Sequence, residues 1–171
     1  GGGLGISYSK EKKQINLKKY AKLVNKFLKN KDSKIIFEPG RFIIGNAGIL
    51  ITKIIYIKKS NNRNFIILDA GMNNLMRPAL YNAHHEIVPL KKTGKFLRGN
   101  LKFVGPVCES SDKFSDRKNF SKIREGEYIG LLNVGAYGMS LSSNYNTRPT
   151  IAEVMVSGSK HKIIRKRQSL E

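Results

Sequence analysis

Two short stretches carry residue types and spacings suited to holding an anion. The chain opens with GGGLG at Gly1 to Gly5, and EPGR follows at Glu38 to Arg41. Bare glycine backbone lets amides converge on a phosphate at close range, although a tight turn accounts for the same letters. In EPGR, glycine amides beside an arginine suit a phosphate or a carboxylate. The plainer alternative is a Pro-Gly turn next to an exposed arginine. Cys108 is the single cysteine, so no internal disulfide forms. That fits a reducing compartment and leaves the thiol for chemistry or for packing. His84 and His85 are adjacent, which in a strand sends them to opposite faces and makes them poor joint ligands. No metal is expected, and Asp69 and the two histidines are assigned to core or interface support.

The elements around these residues fall into two textures. INLKKYAKLVNKFLKN, at 15–30, spaces Ile15, Leu23, Val24, Phe27 and Leu28 on one helical side with lysines opposite. SKIIFEPGR then reads as a short buried strand ending in a turn. Glycine loop, helix, strand and turn together suggest the end of a parallel α/β barrel, whose sites lie at strand C-termini. From about Ile49 the chain turns β-rich: ILITKIIYIKK, NFIILDAG, HEIVPL, LKFVGPVCE, GEYIGLLNVGAYG and TIAEVMVSG are short and separated by turn residues. This spacing predicts an antiparallel barrel or sandwich, with VSGSKHKII as a closing hairpin. The expected division is therefore 1–48 as the barrel piece and 49–171 as a β domain, its last short stretch returning to the barrel side.

Composition narrows the class. At 171 residues and 40% hydrophobic, the chain has room for one domain, or one domain and part of another. No apolar run reaches the roughly 18–20 residues that span a bilayer, and no signal peptide is recognisable. The formal charge of +20 raises nucleic-acid binding. The lysines, however, are scattered and accompany many isoleucines and asparagines, as an AT-rich coding sequence produces. KHKIIRKRQ is the best local case for a polyanion site, and it also reads as an edge strand guarded by charge.

Five motifs occur in one order: GGGLGISY, EPGRFIIGNAG, LDAGMNNLMRPALYNAHHEI, GPVCESSD and NVGAYGMSLSSNYNTRP. This series resembles the C-terminal half of the diaminopimelate decarboxylases, pyridoxal 5'-phosphate enzymes of the alanine-racemase-like barrel class. The resemblance runs from Gly1 to about Arg167. It implies that Gly1, Gly2 and Gly3 hold the cofactor phosphate, helped by Glu38, Pro39, Gly40 and Arg41. Arg41 also grips substrate, Arg77 and Tyr81 bind its distal carboxylate end, and Tyr137 contacts cofactor and substrate. An arginine and a phenol four residues apart suit one carboxylate. Cys108 corresponds to the proton donor and Glu109 to the residue that recognises the distal ammonium.

The implied reaction converts meso-2,6-diaminoheptanedioate to L-lysine and carbon dioxide, in the cytoplasm, in a homodimer whose site lies at the subunit interface. Ornithine- and arginine-type decarboxylases typically carry Asp after the cysteine, so Glu109 with MRPALY favours the dicarboxylic substrate. One departure is Ser111, where the family often has glycine; it is tolerated if φ is negative there. The other is that no lysine here lies in the family's Schiff-base motif, which belongs to the N-terminal half. The chain is thus expected to be a fragment, inactive alone. A non-catalytic remnant or a basic binding module is the rival from another class.

Overall fold

The structure, a computed structural model, describes residues 2–9, 14–91 and 94–170. The predicted helix is present as α1, Leu17–Leu28, capped by Asn16, whose side-chain oxygen accepts from the Lys19 amide at 3.0 Å. Its apolar stripe meets no core: α1 buries no residue, and Leu23 and Phe27 are each 60% exposed. The strand expected in SKIIFE does not form. Residues 31–39 are neither helix nor strand, and Ile36 is 84% exposed. A strand needs a neighbour with which to exchange backbone hydrogen bonds, and no described strand lies beside this segment. Chain direction then turns through α2, Gly40–Ile44, and a 3-10 turn, Gly45–Ala47.

The rest is mostly β, built on a nearly closed, barrel-like sheet. Strands β1 (Ile49–Ser60), β2 (Arg63–Leu68), β3 (Ile87–Pro89), β4 (Phe96–Val104), β5 (Lys113–Ser121) and β6 (Tyr128–Leu132) stand in the order β3-β6-β1-β2-β4-β5. A short helix, α3 (Arg77–Tyr81), lies between β2 and β3. β1 shows why the sheet has an inside. Leu50, Thr52 and Ile54 are buried while Ile49, Ile51 and Ile55 are exposed, the period-two pattern of a half-covered strand. Ile54, Ile66, Leu68, Leu75, Leu101, Phe103, Ile129 and Leu131 form the fully buried centre. Phe103 and Phe120 meet edge to face at 4.9 Å.

Four of the five pairings in this sheet are antiparallel, as expected; β2 and β4 run parallel, with Asn64 opposite Leu101. β5 was not anticipated, because KFSDRKNFS is mostly polar and buries only Phe114, Ser115 and Phe120 along its length. The expected hairpin is β7 (Glu153–Ser157) with β8 (Lys160–Arg165), a separate two-stranded sheet tied by an Arg165–Glu153 ion pair at 2.6 Å.

Phe103 has no exposed surface and packs against a second ring, so Phe103→Ala should lower unfolding free energy by about 3–5 kcal/mol. Ile55→Ala, on the exposed face, should cost under about 1 kcal/mol. Urea denaturation of the two variants beside the parent chain checks the pair.

Candidate functional site

Two glycine-rich turns meet at Gly48 and Gly135. A Cβ on Gly48 would lie 2.5 Å from the Gly135 nitrogen, and one on Gly135 would strike the Ile44 carbonyl. Only glycine permits that approach. The Val134 amide donates to the Gly48 carbonyl and the Gly135 amide to the Gly45 carbonyl, each at 3.1 Å. The turn after β6 is thereby held against α2, and it carries Tyr137 at φ 63, a left-handed conformation rare for a bulky residue. The Tyr137 ring faces Arg41, whose guanidinium carbon is 5.3 Å from the ring centroid.

A cleft of about 280 Å³ opens here, lined by Gly2 to Gly5, Glu38 to Arg41, and Tyr137. Three segments far apart in sequence thus converge. Gly2 packs on the 38–39 backbone, where any Cβ would strike the Glu38 carbonyl. The Gly40 amide already donates to the Glu38 carbonyl at 2.9 Å, so Gly40 offers space rather than a donor. Gly1 lies outside the described residues.

Arg77 is buried, not part of a surface turn. Its Nη1 lies 3.0 Å from His85 Nε2, and its guanidinium carbon lies 4.8 Å from the Tyr8 ring and 6.0 Å from that of Tyr137. His85 Nδ1 is 2.9 Å from the Leu132 carbonyl. A carbonyl only accepts, so Nδ1 carries the proton and Nε2 accepts from Arg77. Burial pushes His85 below its ordinary pKa; Arg77 and His84 act in the same sense, against the Leu132 carbonyl. The imidazole is therefore a neutral brace for Arg77. Tyr81 stands one turn further along α3 and is exposed, outside that buried environment.

Cys108 and Glu109 do not line the cleft. Both are exposed on a loop after β4. The Glu109 carboxylate accepts from the Ser111 amide at 3.5 Å, Ser110 Oγ at 3.3 Å and Tyr145 Oη at 3.4 Å. The Ser111 amide leads in drawing its pKa below the usual carboxylate value. Ser111 is absent from the residues with positive φ, which meets the condition for serine there. Asp69 braces the sheet: its Oδ1 accepts from Thr52 Oγ1 at 2.5 Å and from the Lys53 amide at 2.9 Å. Among the described residues no cluster of three or more His, Cys, Asp or Glu side chains is placed to hold a metal, and no helix is long and apolar enough to cross a membrane. Tyr8 and Tyr145 were given no role from sequence; each stood inside a quoted motif, but its partners, Arg77 and Glu109, are distant in the chain.

The sheet belongs to a known class. Residues 8–135 match the C-terminal sheet domain of the pyridoxal-dependent decarboxylases, and the chain belongs to that family. Among particular relatives, it is 45% identical over 172 residues to the diaminopimelate decarboxylase of Aquifex aeolicus, covering all of this chain and 40% of that protein. A diaminopimelate decarboxylase of Helicobacter pylori is 43% identical, with all of this chain and 42% of the relative covered. The crystal structure of the Helicobacter pylori enzyme complexed with L-lysine superposes with a TM-score of 0.91 at 41% identity, over 99% of this chain and 41% of that one. The chain therefore spans about 40% of the length of the curated relatives it matches. A lysine/ornithine decarboxylase from Vibrio vulnificus shares the fold at 19% identity and a TM-score of 0.74.

His85 generates a pH prediction. Its folded pKa lies below the unfolded value near 6.5, so the unfolded state binds a proton that the folded state resists. Stability linked to His85 is present above that value and declines as pH falls through it towards the folded pKa. Urea midpoints at pH 7.5 and 5.5 should fall more for the parent chain than for His85→Asn, which does not titrate.

Proposed function

We propose that this chain is the C-terminal part of a diaminopimelate decarboxylase, acting on meso-2,6-diaminoheptanedioate to leave L-lysine and carbon dioxide. The observation that carries the reading is the convergence of Gly2, Gly3, Glu38 to Arg41 and Tyr137 on one cleft. The residues present fit a phosphorylated cofactor. A Cβ on Gly3, Gly5 or Gly40 meets no atom within 4 Å, so their missing side chains leave the cleft itself open. Arg41 adds a cation at the rim, and a volume near 280 Å³, small for a whole ligand site, suits the phosphate end of the cofactor.

Gly1, Gly2 and Gly3 with Arg41 would hold the phosphate of pyridoxal phosphate, Glu38, Pro39 and Gly40 would shape the rim, and Tyr137 would contact the ring. When bound, the cofactor supplies the electron-withdrawing system that takes up the electron pair left as carbon dioxide departs. Arg41, Arg77, Tyr81 and Tyr137 orient the substrate, with His85 keeping Arg77 in place. Glu109 would face the distal ammonium, and the Ser111 amide draws its pKa below the ordinary carboxylate value. The Cys108 thiol gives its proton to the substrate carbon that loses carbon dioxide.

The division follows: 1–48 belongs to the cofactor barrel and 49–171 is the β domain. The uncovered stripe of α1 and exposed Ile36 and Ile43 support a barrel half that covers them. That Cys108 and Glu109 stand outside the cleft lining supports a homodimer in which they serve the cleft of a second copy. The single free cysteine agrees with a cytoplasmic location. Glu109 rather than Asp disfavours the ornithine- and arginine-type activity.

Joined behind the N-terminal three fifths of the Aquifex aeolicus relative, the chain should release lysine from meso-diaminoheptanedioate, and ornithine should turn over at least about 100-fold more slowly. Comparable ornithine turnover would reject the assignment. In the same fusion, Arg41→Ala should weaken pyridoxal phosphate binding about 10- to 100-fold, the loss of one charged hydrogen-bonding partner, read by cofactor absorbance.

A further inference from the structure

We propose that Asp112 is a positioning residue whose buried carboxylate pins the Cys108–Glu109 loop to the turn leading into α3, fixing thiol and carboxylate relative to Arg77. Asp112 is 4% exposed. Its Oδ1 accepts from the Met72 amide at 2.7 Å and its Oδ2 from the Val107 amide at 2.8 Å. Those amides belong to two separate segments: Met72 precedes α3 and Val107 stands next to Cys108. One carboxylate therefore spans both, each oxygen committed to one of them. The Asp112 backbone closes the loop as well. Its amide donates to the Glu109 carbonyl and its carbonyl accepts from the Gly105 amide, both at 3.0 Å.

Two glycines make the space. A Cβ on Gly105 would fall on the Asp112 carboxylate, and one on Gly71 would come within 3.3 Å of Oδ2. The charged groups that face Asp112 are Arg148, which favours its ionised form, and Glu109, which opposes it; burial is the largest influence and pushes its pKa up. Arg148 reinforces the same turn, its Nη2 donating to the Asp69 carbonyl at 2.6 Å. Asparagine cannot replace the aspartate: one of its two positions would be an NH₂ set against an amide donor.

The functional meaning of the pin rests on the decarboxylase reading; the pin itself does not. Amide hydrogen exchange on the full chain tests it directly. In Asp112→Asn, the Met72 and Val107 amides should both exchange about 100-fold faster, while the core amide of Ile54 keeps its rate. Unchanged exchange at either amide overturns the pin. Should the variant not fold, the parent decides: Met72 and Val107 must exchange as slowly as core strands, and rates like those of the exposed Asn61–Asn62 turn overturn the proposal. In the fusion enzyme, Asp112→Asn should raise KM for meso-diaminoheptanedioate at least about fivefold through a misplaced Glu109. A simple loss of folded protein lowers apparent kcat at constant KM, so an unchanged KM overturns the positioning role. A parent fusion without turnover counts against the decarboxylase reading alone, since exchange still decides the pin.

Discussion

Where the chain leaves α2 and where it turns after β6, two backbones touch with no side chain between them. Gly48 and Gly135 make that contact, and the amides of Val134 and Gly135 bond across it. Everything in the cleft follows from it. EPGR runs into the first turn of α2 and GAYG lies in the turn after β6, so the junction sets the distance between Arg41 and Tyr137. A methyl group at either glycine would wedge the two segments apart. The left-handed backbone at Tyr137 is part of the same arrangement, since strained conformations persist where their surroundings over-determine them.

Behind the cleft, a second tier of contacts runs inward. Arg77 is braced by a histidine whose tautomer is set by a strand carbonyl, and its guanidinium stands over Tyr8. The interior that neutralises His85 also keeps the arginine from turning to solvent. Burial thus gives Arg77 a fixed direction at the cost of withholding it from water. The Cys-Glu loop is organised differently, by backbone hydrogen bonds and one buried carboxylate, and Cys108 and Glu109 are left exposed.

How much of this the letters reveal depends on whether the partner is near in sequence. The alternation in β1, the turn chemistry of VSGSKHKII and the helical spacing of α1 are local and were legible. So were the glycine motifs, because glycine at such places reports a steric demand. KFSDRKNFS is too polar to announce β5; its place comes from pairing with β4. The apolar letters of SKIIF suggested a strand, but a strand exists only beside another. The parallel register of β2 with β4, the contact of Arg77 with Tyr8 and the Met72 amide held by Asp112 all join residues remote in the chain, and no short window contains both members.

The strand order carries a kinetic consequence. Only β1 with β2, and β4 with β5, join neighbours along the chain within the six-stranded sheet. The other three pairings match Asn64 with Leu101, Ile49 with Leu132 and Ile87 with Leu131, each across a long intervening stretch. Closing such loops costs entropy before any contact rewards it. The sheet should therefore assemble slowly and nearly all at once, with the β1–β6 seam, and the tyrosine-bearing turn that follows it, among the last parts to become ordered.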